Sequence, residues 1–154
     1  MESPADKPRS KKILILTGMS ITLSTIIFFF AANASRFSFH FAPPVSILTI
    51  IYHSAILILS RRHRNSPNAS PYPTMYPSIG LAAFLFILWM ITIGFMIVAF
   101  NYDPQWWTLE QLIKLGAQFI LAVMETGCLL SLVVLCARAR KSLDAAEREG
   151  RIQI

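Results

Sequence analysis

The chain has 154 residues and a formal net charge of +6. Some 55% of them are apolar, only 14% are charged, and the mean hydropathy is +0.54. A water-soluble domain keeps about a quarter of its residues charged, so this composition excludes an ordinary soluble domain and makes lipid the expected solvent. The positive balance does not point to nucleic acid, because the basic residues flank long apolar runs and no RNA- or DNA-binding motif is present.

Residues 1–12 read as a cytosolic tail carrying Lys7, Arg9, Lys11 and Lys12. The first apolar run, 13–32, is uncharged over 20 residues, long enough to cross a hydrocarbon core about 30 Å thick. With Lys11-Lys12 before it and Ala32-Asn33-Ala34 after it, the run also resembles a secretory leader. The apolar region of a leader is only about 7–15 residues, which favours a retained span. Thr17, Ser20 and Ser24 lie on one stripe of this helix, and Phe28, Phe29 and Phe30 near its end are expected to face lipid.

A short polar turn, 33–41, leads to the second span, 42–60. Pro43 and Pro44 suit its first turn, where the N–H groups lack helical partners. Ser46, Thr49, His53 and Ser60 recur at offsets of three, seven and fourteen, again one stripe. The stretch 65–78 holds Pro67, Pro71, Pro73 and Pro77 and is expected to be an extended loop rather than helix. It carries two Ser-Pro pairs, Ser66-Pro67 and Ser70-Pro71, a Tyr72-Pro73-Thr74-Met75 segment of the tyrosine-x-x-bulky sorting form, and the sequon Asn68-Ala69-Ser70. A second sequon, Asn33-Ala34-Ser35, lies too close to the bilayer for a glycan.

The third span, 79–100, contributes Trp89, Thr92 and Met96 to a stripe. The loop 101–110 holds Tyr102, Trp106 and Trp107, rings that prefer the headgroup level. The fourth apolar run, 115–137, is broken only by Glu125 and extends to 112–137 as a span. Gln111, Lys114, Gln118, Glu125 and Cys128 form its polar stripe. Ala122 with Thr126, and Gly127 with Ser131, place small residues at the four-residue spacing that permits close helix approach. Residues 138–154 read as a basic cytosolic tail, in which Ser142 is expected to cap a short polar helix reaching 149.

These elements predict an all-α integral membrane four-helix bundle over 13–137. Its termini and Pro-rich middle loop face the cytosol, and its outer loops are short. Twelve of the fourteen lysines and arginines fall on the predicted cytosolic side; only Arg36 and Lys114 do not. Such a bias sets orientation in membranes.

Intramembrane polar residues are costly and mark candidate sites. Glu125 is the sharpest, with His53 as its proposed partner at similar depth and Gln118 on the same stripe. An ionised carboxylate at mid-depth costs several kcal/mol, so Glu125 is expected to be protonated or paired. The chemical reading is a proton relay or polar binding site. The structural reading, which we favour, is a hydrogen-bonded acid that fixes helix register. Arg138, Arg140 and Lys141 are positioned to meet anionic inner-leaflet lipid, or simply to anchor topology. Cys136, at the same boundary, is a candidate for S-palmitoylation, with a buried inert thiol as the stronger alternative.

Other chemistries are argued against. Cys128 and Cys136 lie eight residues apart on one helix, roughly 12 Å, too far for a disulfide. His40, His53 and His63 fall at different depths, so no metal site is expected. No phosphate-binding glycine loop, GxSxG or HExxH is present, so no catalytic residue and no cofactor is assigned.

Four short-looped spans resemble the MARVEL-type tetraspan membrane proteins. Tyr52-His53-Ser54-Ala55-Ile56-Leu57, and Leu132-Val133-Val134-Leu135-Cys136 followed by Arg138-Ala139-Arg140-Lys141, are similar to small fungal four-span proteins of that layout. The resemblance covers about 13–141 and rests on architecture. It implies a non-enzymatic role in membrane organisation, trafficking or scaffolding, at the plasma membrane or in the endomembrane system. Its expected partners are the bilayer itself, anionic inner-leaflet lipids, and other copies or other proteins joined through the spans. The chain departs from claudins and tetraspanins in having cysteine-free, short outer loops. The alternative function is a small transporter or channel component using Glu125 and His53.

Overall fold

The computed structural model describes residues 6–33, 41–63, 76–102 and 108–148. These form four helices: α1 (Asp6–Asn33), α2 (Ala42–His63), α3 (Tyr76–Tyr102) and α4 (Leu109–Arg148). Each is long and apolar enough to cross a membrane, over Lys12–Ala31, Ala42–Leu59, Tyr76–Asn101 and Leu109–Ser142. The chain is accordingly a multi-pass membrane protein with an all-helical bundle, as the apolar runs predict.

Helix limits depart from expectation where local chemistry carries a helix past its apolar run. α1 begins at Asp6, seven residues before the apolar stretch, with Pro8 in its first turn. α3 begins at Tyr76, so Pro77 and Ser78, assigned to the middle loop, are helical. Pro77 occupies the first turn, where its missing N–H breaks no hydrogen bond. α2 uses Pro43 and Pro44 in the same way.

α4 has 40 residues, roughly 60 Å long at 1.5 Å per residue, twice a typical hydrocarbon core. It runs unbroken to Arg148, so Ser142 does not cap a separate helix. The Ser142 hydroxyl instead donates to the Ala139 carbonyl at 2.7 Å. Ala, Leu, Arg and Lys are strong helix formers and Arg140 pairs with Asp144 one turn on, at 2.8 Å, so nothing ends the helix at 142.

Side-chain contacts fix the mutual directions. Tyr76 meets Asp144, and Phe100 meets Phe119, so α3 and α4 are antiparallel. Phe41 stacks on Phe95, Thr49 binds Trp89, and Tyr52 binds Ser78, so α2 and α3 are antiparallel. α1 packs on both α2 and α4. One end of the bundle gathers Lys12, Arg61, Arg62, Arg138, Arg140 and Lys141, and is called the basic end below.

The bundle is polar inside and apolar outside. Ser20, Ser24, Ser46, Thr49, His53, Gln118 and Glu125 are fully buried, whereas Ile15, Phe29, Ile58, Ile113 and Ile120 are more than 60% exposed. Hydrocarbon tails are as apolar as leucine, so burying leucine gains little there, and packing and hydrogen bonds hold the helices together. A hydrophobic cluster runs beside the polar residues, with Ile27, Val45, Leu85, Trp89, Met96, Leu115 and Leu129 at its centre.

Candidate functional site

Glu125 lies on the α4 face that packs on α1. Its Oε1 accepts hydrogen bonds from Ser20 and, at 3.1 Å, from Ser24. Ser20 and Ser24 are one turn apart on α1, so two hydroxyls of one helix converge on a single oxygen of another. Glu125 Oε2 has no partner among the described residues.

His53 joins the cluster from α2. Its Nδ1 lies 2.9 Å from the Thr49 carbonyl and 3.4 Å from Ser20 Oγ. A carbonyl oxygen only accepts, so Nδ1 carries a hydrogen and donates it to Thr49. In the neutral ring Nε2 is then an acceptor, and it too is buried without a partner. Glu125 and His53, expected to be partners, each contact Ser20 rather than each other among the described interactions. Ser20 belonged to a recognised stripe, but its depth, matching that of His53 and Glu125, was the signal left unused.

Thr49 ties the cluster to α3. Its hydroxyl donates to the Val45 carbonyl at 2.8 Å and accepts from Trp89 Nε1 at 3.1 Å. One turn towards the basic end, Tyr52 Oη donates to the Ser78 carbonyl at 2.7 Å, a second α2–α3 bond that the sequence did not announce. Gln118, two turns from Glu125 on the same face of α4, is fully buried, and neither its oxygen nor its nitrogen has a partner among the described residues.

Other members of the α4 stripe point elsewhere. Gln111 is exposed and caps the helix: its Oε1 accepts from Thr108 N at 3.1 Å, while Thr108 Oγ1 accepts from Gln111 N at 3.3 Å. This is a reciprocal capping box, readable as Thr-x-x-Gln before an apolar run. Lys114 pairs with Glu110 at 2.6 Å on the surface. Helix pitch drifts by about 20° per heptad against a seven-residue repeat, so a stripe extended over many turns leaves the core. Of the small-residue pairs, Ala122 and Thr126 are buried, but Gly127 and Ser131 are exposed and mediate no contact between these helices. Phe29 and Phe30 are exposed as expected, while Phe28 is half-buried.

At the basic end, Arg138 and Lys141 are exposed. Arg140 turns inward: its guanidinium lies 5.0 Å from the centre of the Tyr76 ring and bonds Asp144, which also accepts from Tyr76 Oη at 2.9 Å. Cys136 is buried, and Cys128 is half-buried. Cys136 lines a cavity of about 10 Å³ with Thr17, Tyr52 and Leu132, a volume that holds one water at most. Among the described residues no group of three or more His, Cys, Asp or Glu side chains is placed to hold a metal ion. The Ser-Pro pairs, the tyrosine-based segment, both complete sequons, Trp106 and Trp107 lie outside the described residues.

No protein-family model matches this chain, and comparison with curated proteins and with solved structures likewise yields no match.

Proposed function

We propose that this chain is a non-enzymatic multi-pass membrane protein that acts in membrane organisation, trafficking or scaffolding through its helix faces and cytosolic segments. The observation that carries this reading is the hydrogen-bonded setting of Glu125 between helices. Its carboxyl is held by two hydroxyls of a neighbouring helix, so that α4 is pinned to α1 at one depth. In this reading Glu125, Ser20, Ser24 and His53 set the register of α1, α2 and α4.

The basic end faces the cytosol, because twelve of the fourteen lysines and arginines gather there by sequence. Exposed Arg138 and Lys141 then meet anionic headgroups, each contributing about 1 kcal/mol. Arg140, engaged with Tyr76 and Asp144, contributes less to lipid and more to joining α3 to α4. Self-association or pairing with other membrane proteins proceeds through the outward helix faces. The burial of Cys136 favours an inert thiol over an acylation site.

A second reading, a small transporter or channel component, draws on one observation: Glu125 Oε2 and His53 Nε2 are buried without partners. Reconstitution into sealed vesicles loaded with a pH-sensitive dye separates the two. The organising role predicts no proton or alkali-cation flux above that of empty vesicles. A flux abolished by Glu125→Gln would establish the second reading instead.

A further inference from the structure

Among the described residues, three that are fully buried away from the basic end leave polar atoms unpartnered. They are His53, Glu125 and Gln118. We propose that Glu125 and His53 form a single proton-binding site, bridged by water, which protons reach past Gln118 from the end opposite the basic one.

The hydrogen-bond polarity of the cluster assigns the atoms. Glu125 Oε1 already accepts from Ser20 and Ser24, so Oε2 is the oxygen that carries the acid hydrogen. His53 Nδ1 already donates to the Thr49 carbonyl, so Nε2 is the lone pair of the neutral ring. One residue therefore holds a donor without an acceptor, the other an acceptor without a donor, and Ser20 touches both. Water accepts from one and donates to the other. Transfer is balanced: the O–H bond at Oε2 breaks, the water takes that hydrogen and gives one of its own to Nε2, and an N–H bond forms. The acid and neutral ring become carboxylate and imidazolium, with no change in total charge. The groups facing the site are simple to enumerate among the described residues. α1 brings the hydroxyls of Ser20 and Ser24, and α3 brings Trp89, through Thr49. α2 brings His53, and α4 adds half-buried Cys128 one turn from Glu125.

The two halves of the interior differ in what they offer a proton. Towards the basic end, Thr17 bonds the Ile13 carbonyl and Tyr52 bonds the Ser78 carbonyl, and the buried thiol of Cys136 follows. Those hydroxyls are satisfied around a cavity of about 10 Å³, and the unpartnered buried atom described on that side, Arg140 Nε, lies 15 residues along α4 from Glu125, roughly 22 Å. Towards the opposite end, Gln118 sits two turns from Glu125, roughly 10 Å along the axis, with two donor hydrogens and an acceptor oxygen all unused. Lys114, one turn farther, is 38% exposed and marks where that face of α4 meets the surface. A buried amide with nothing to bond is costly unless water reaches it. A blind-ended path of this kind loads and unloads a proton from one side and carries none across, which is compatible with an organising protein.

The test is hydrogen–deuterium exchange at the Glu125 carboxyl, read by infrared spectroscopy of the full chain in lipid nanodiscs after transfer to heavy water. Glu125→Gln identifies the acid band by removing it. Gln118→Leu should slow its exchange by about tenfold or more. Thr17→Val, on the other side of the site, should leave the rate unchanged, and Gln118→Asn, which keeps the amide, should stay near the parent. Should Gln118→Leu fail to fold, Gln118→Met, unbranched and of similar size, replaces it. His53→Gln should shift the pH midpoint of the acid band. An exchange rate indifferent to Gln118, an equal slowing by Thr17→Val, a midpoint unmoved by His53→Gln, or an acid band that Glu125→Gln leaves in place would each overturn the proposal.

Discussion

Replacing Glu125 separates hydrogen bonding from titration. Glu125→Gln keeps an sp2 oxygen where Oε1 accepts from Ser20 and Ser24, so both bonds between α1 and α4 survive. Glu125→Leu removes both and leaves two serine hydroxyls to turn back onto their own helix. Interhelical hydrogen bonds in membrane proteins contribute about 0.6 kcal/mol on average and rarely exceed about 1.7. Loss of two that share one acceptor should therefore cost about 1–2 kcal/mol, and Gln should cost only a few tenths. Equilibrium unfolding in mixed detergent micelles measures this, with a double-mutant cycle between Glu125→Leu and Ser20→Ala. The cycle should return a coupling of about 0.5–1.5 kcal/mol, since each change removes the same bond. A coupling of zero, or a Gln variant as unstable as the Leu variant, would refute the assignment of Glu125 to helix register by hydrogen bonding.

Further outcomes follow from the same contacts. Ala122→Leu should disrupt the bundle by overpacking a fully buried position, at about 1–3 kcal/mol, whereas Gly127→Leu should be tolerated, because that glycine faces outward with nothing within 4 Å; the same unfolding assay compares them. Tyr52→Phe should cost about 1 kcal/mol or less and loosen α2 from α3, read as faster amide exchange near Ser78. Thr108→Ala should remove half of the capping box and fray the start of α4, at about 1 kcal/mol, seen as reduced amide protection over 109–112. Epitope tags at either terminus should react only after cells are permeabilised, and labelling of intact cells would overturn the proposed orientation.

Span number and helical class were legible because hydrocarbon demands continuous apolar runs of about 20 residues whose backbone groups bond internally. The buried identity of Ser20, Thr49, His53, Gln118 and Glu125 was legible too, since a polar side chain in lipid has only the bundle interior to go to. What the stripes did not carry was depth and register. Stripe membership gives the face of a helix; which residues meet depends on how far each helix slides past its neighbours. That is why Ser20 was placed on a stripe but not between Glu125 and His53, and why Tyr52 and Ser78 went unmatched. Helix limits failed for another reason. The apolar run ends where the membrane requirement ends, while the helix continues as long as propensity and i,i+4 pairs support it. Arg140 and Asp144 carry α4 past 142 in this way.

Several buried hydroxyls among the described residues turn back onto their own helix. Thr17, Ser46, Thr92 and Thr126 each donate to the carbonyl four residues back on their own helix. Such bonds satisfy the hydroxyl and leave the partner helix unspecified. The specification falls to a few side chains that reach across. Ser20 and Ser24 fix α1 against α4, Trp89 and Tyr52 fix α2 against α3, and Tyr76 with Arg140 and Asp144 fixes α3 against α4 at one end. The seam between α1 and α2 has only the long His53–Ser20 contact among these, although the two helices pack extensively. A change of charge at His53 therefore acts on the one contact described here between α1 and α2 side chains, Ser20 with His53. The α1–α2 seam is the place where protonation would most readily alter packing, and α1–α4 the place where losing Glu125 would.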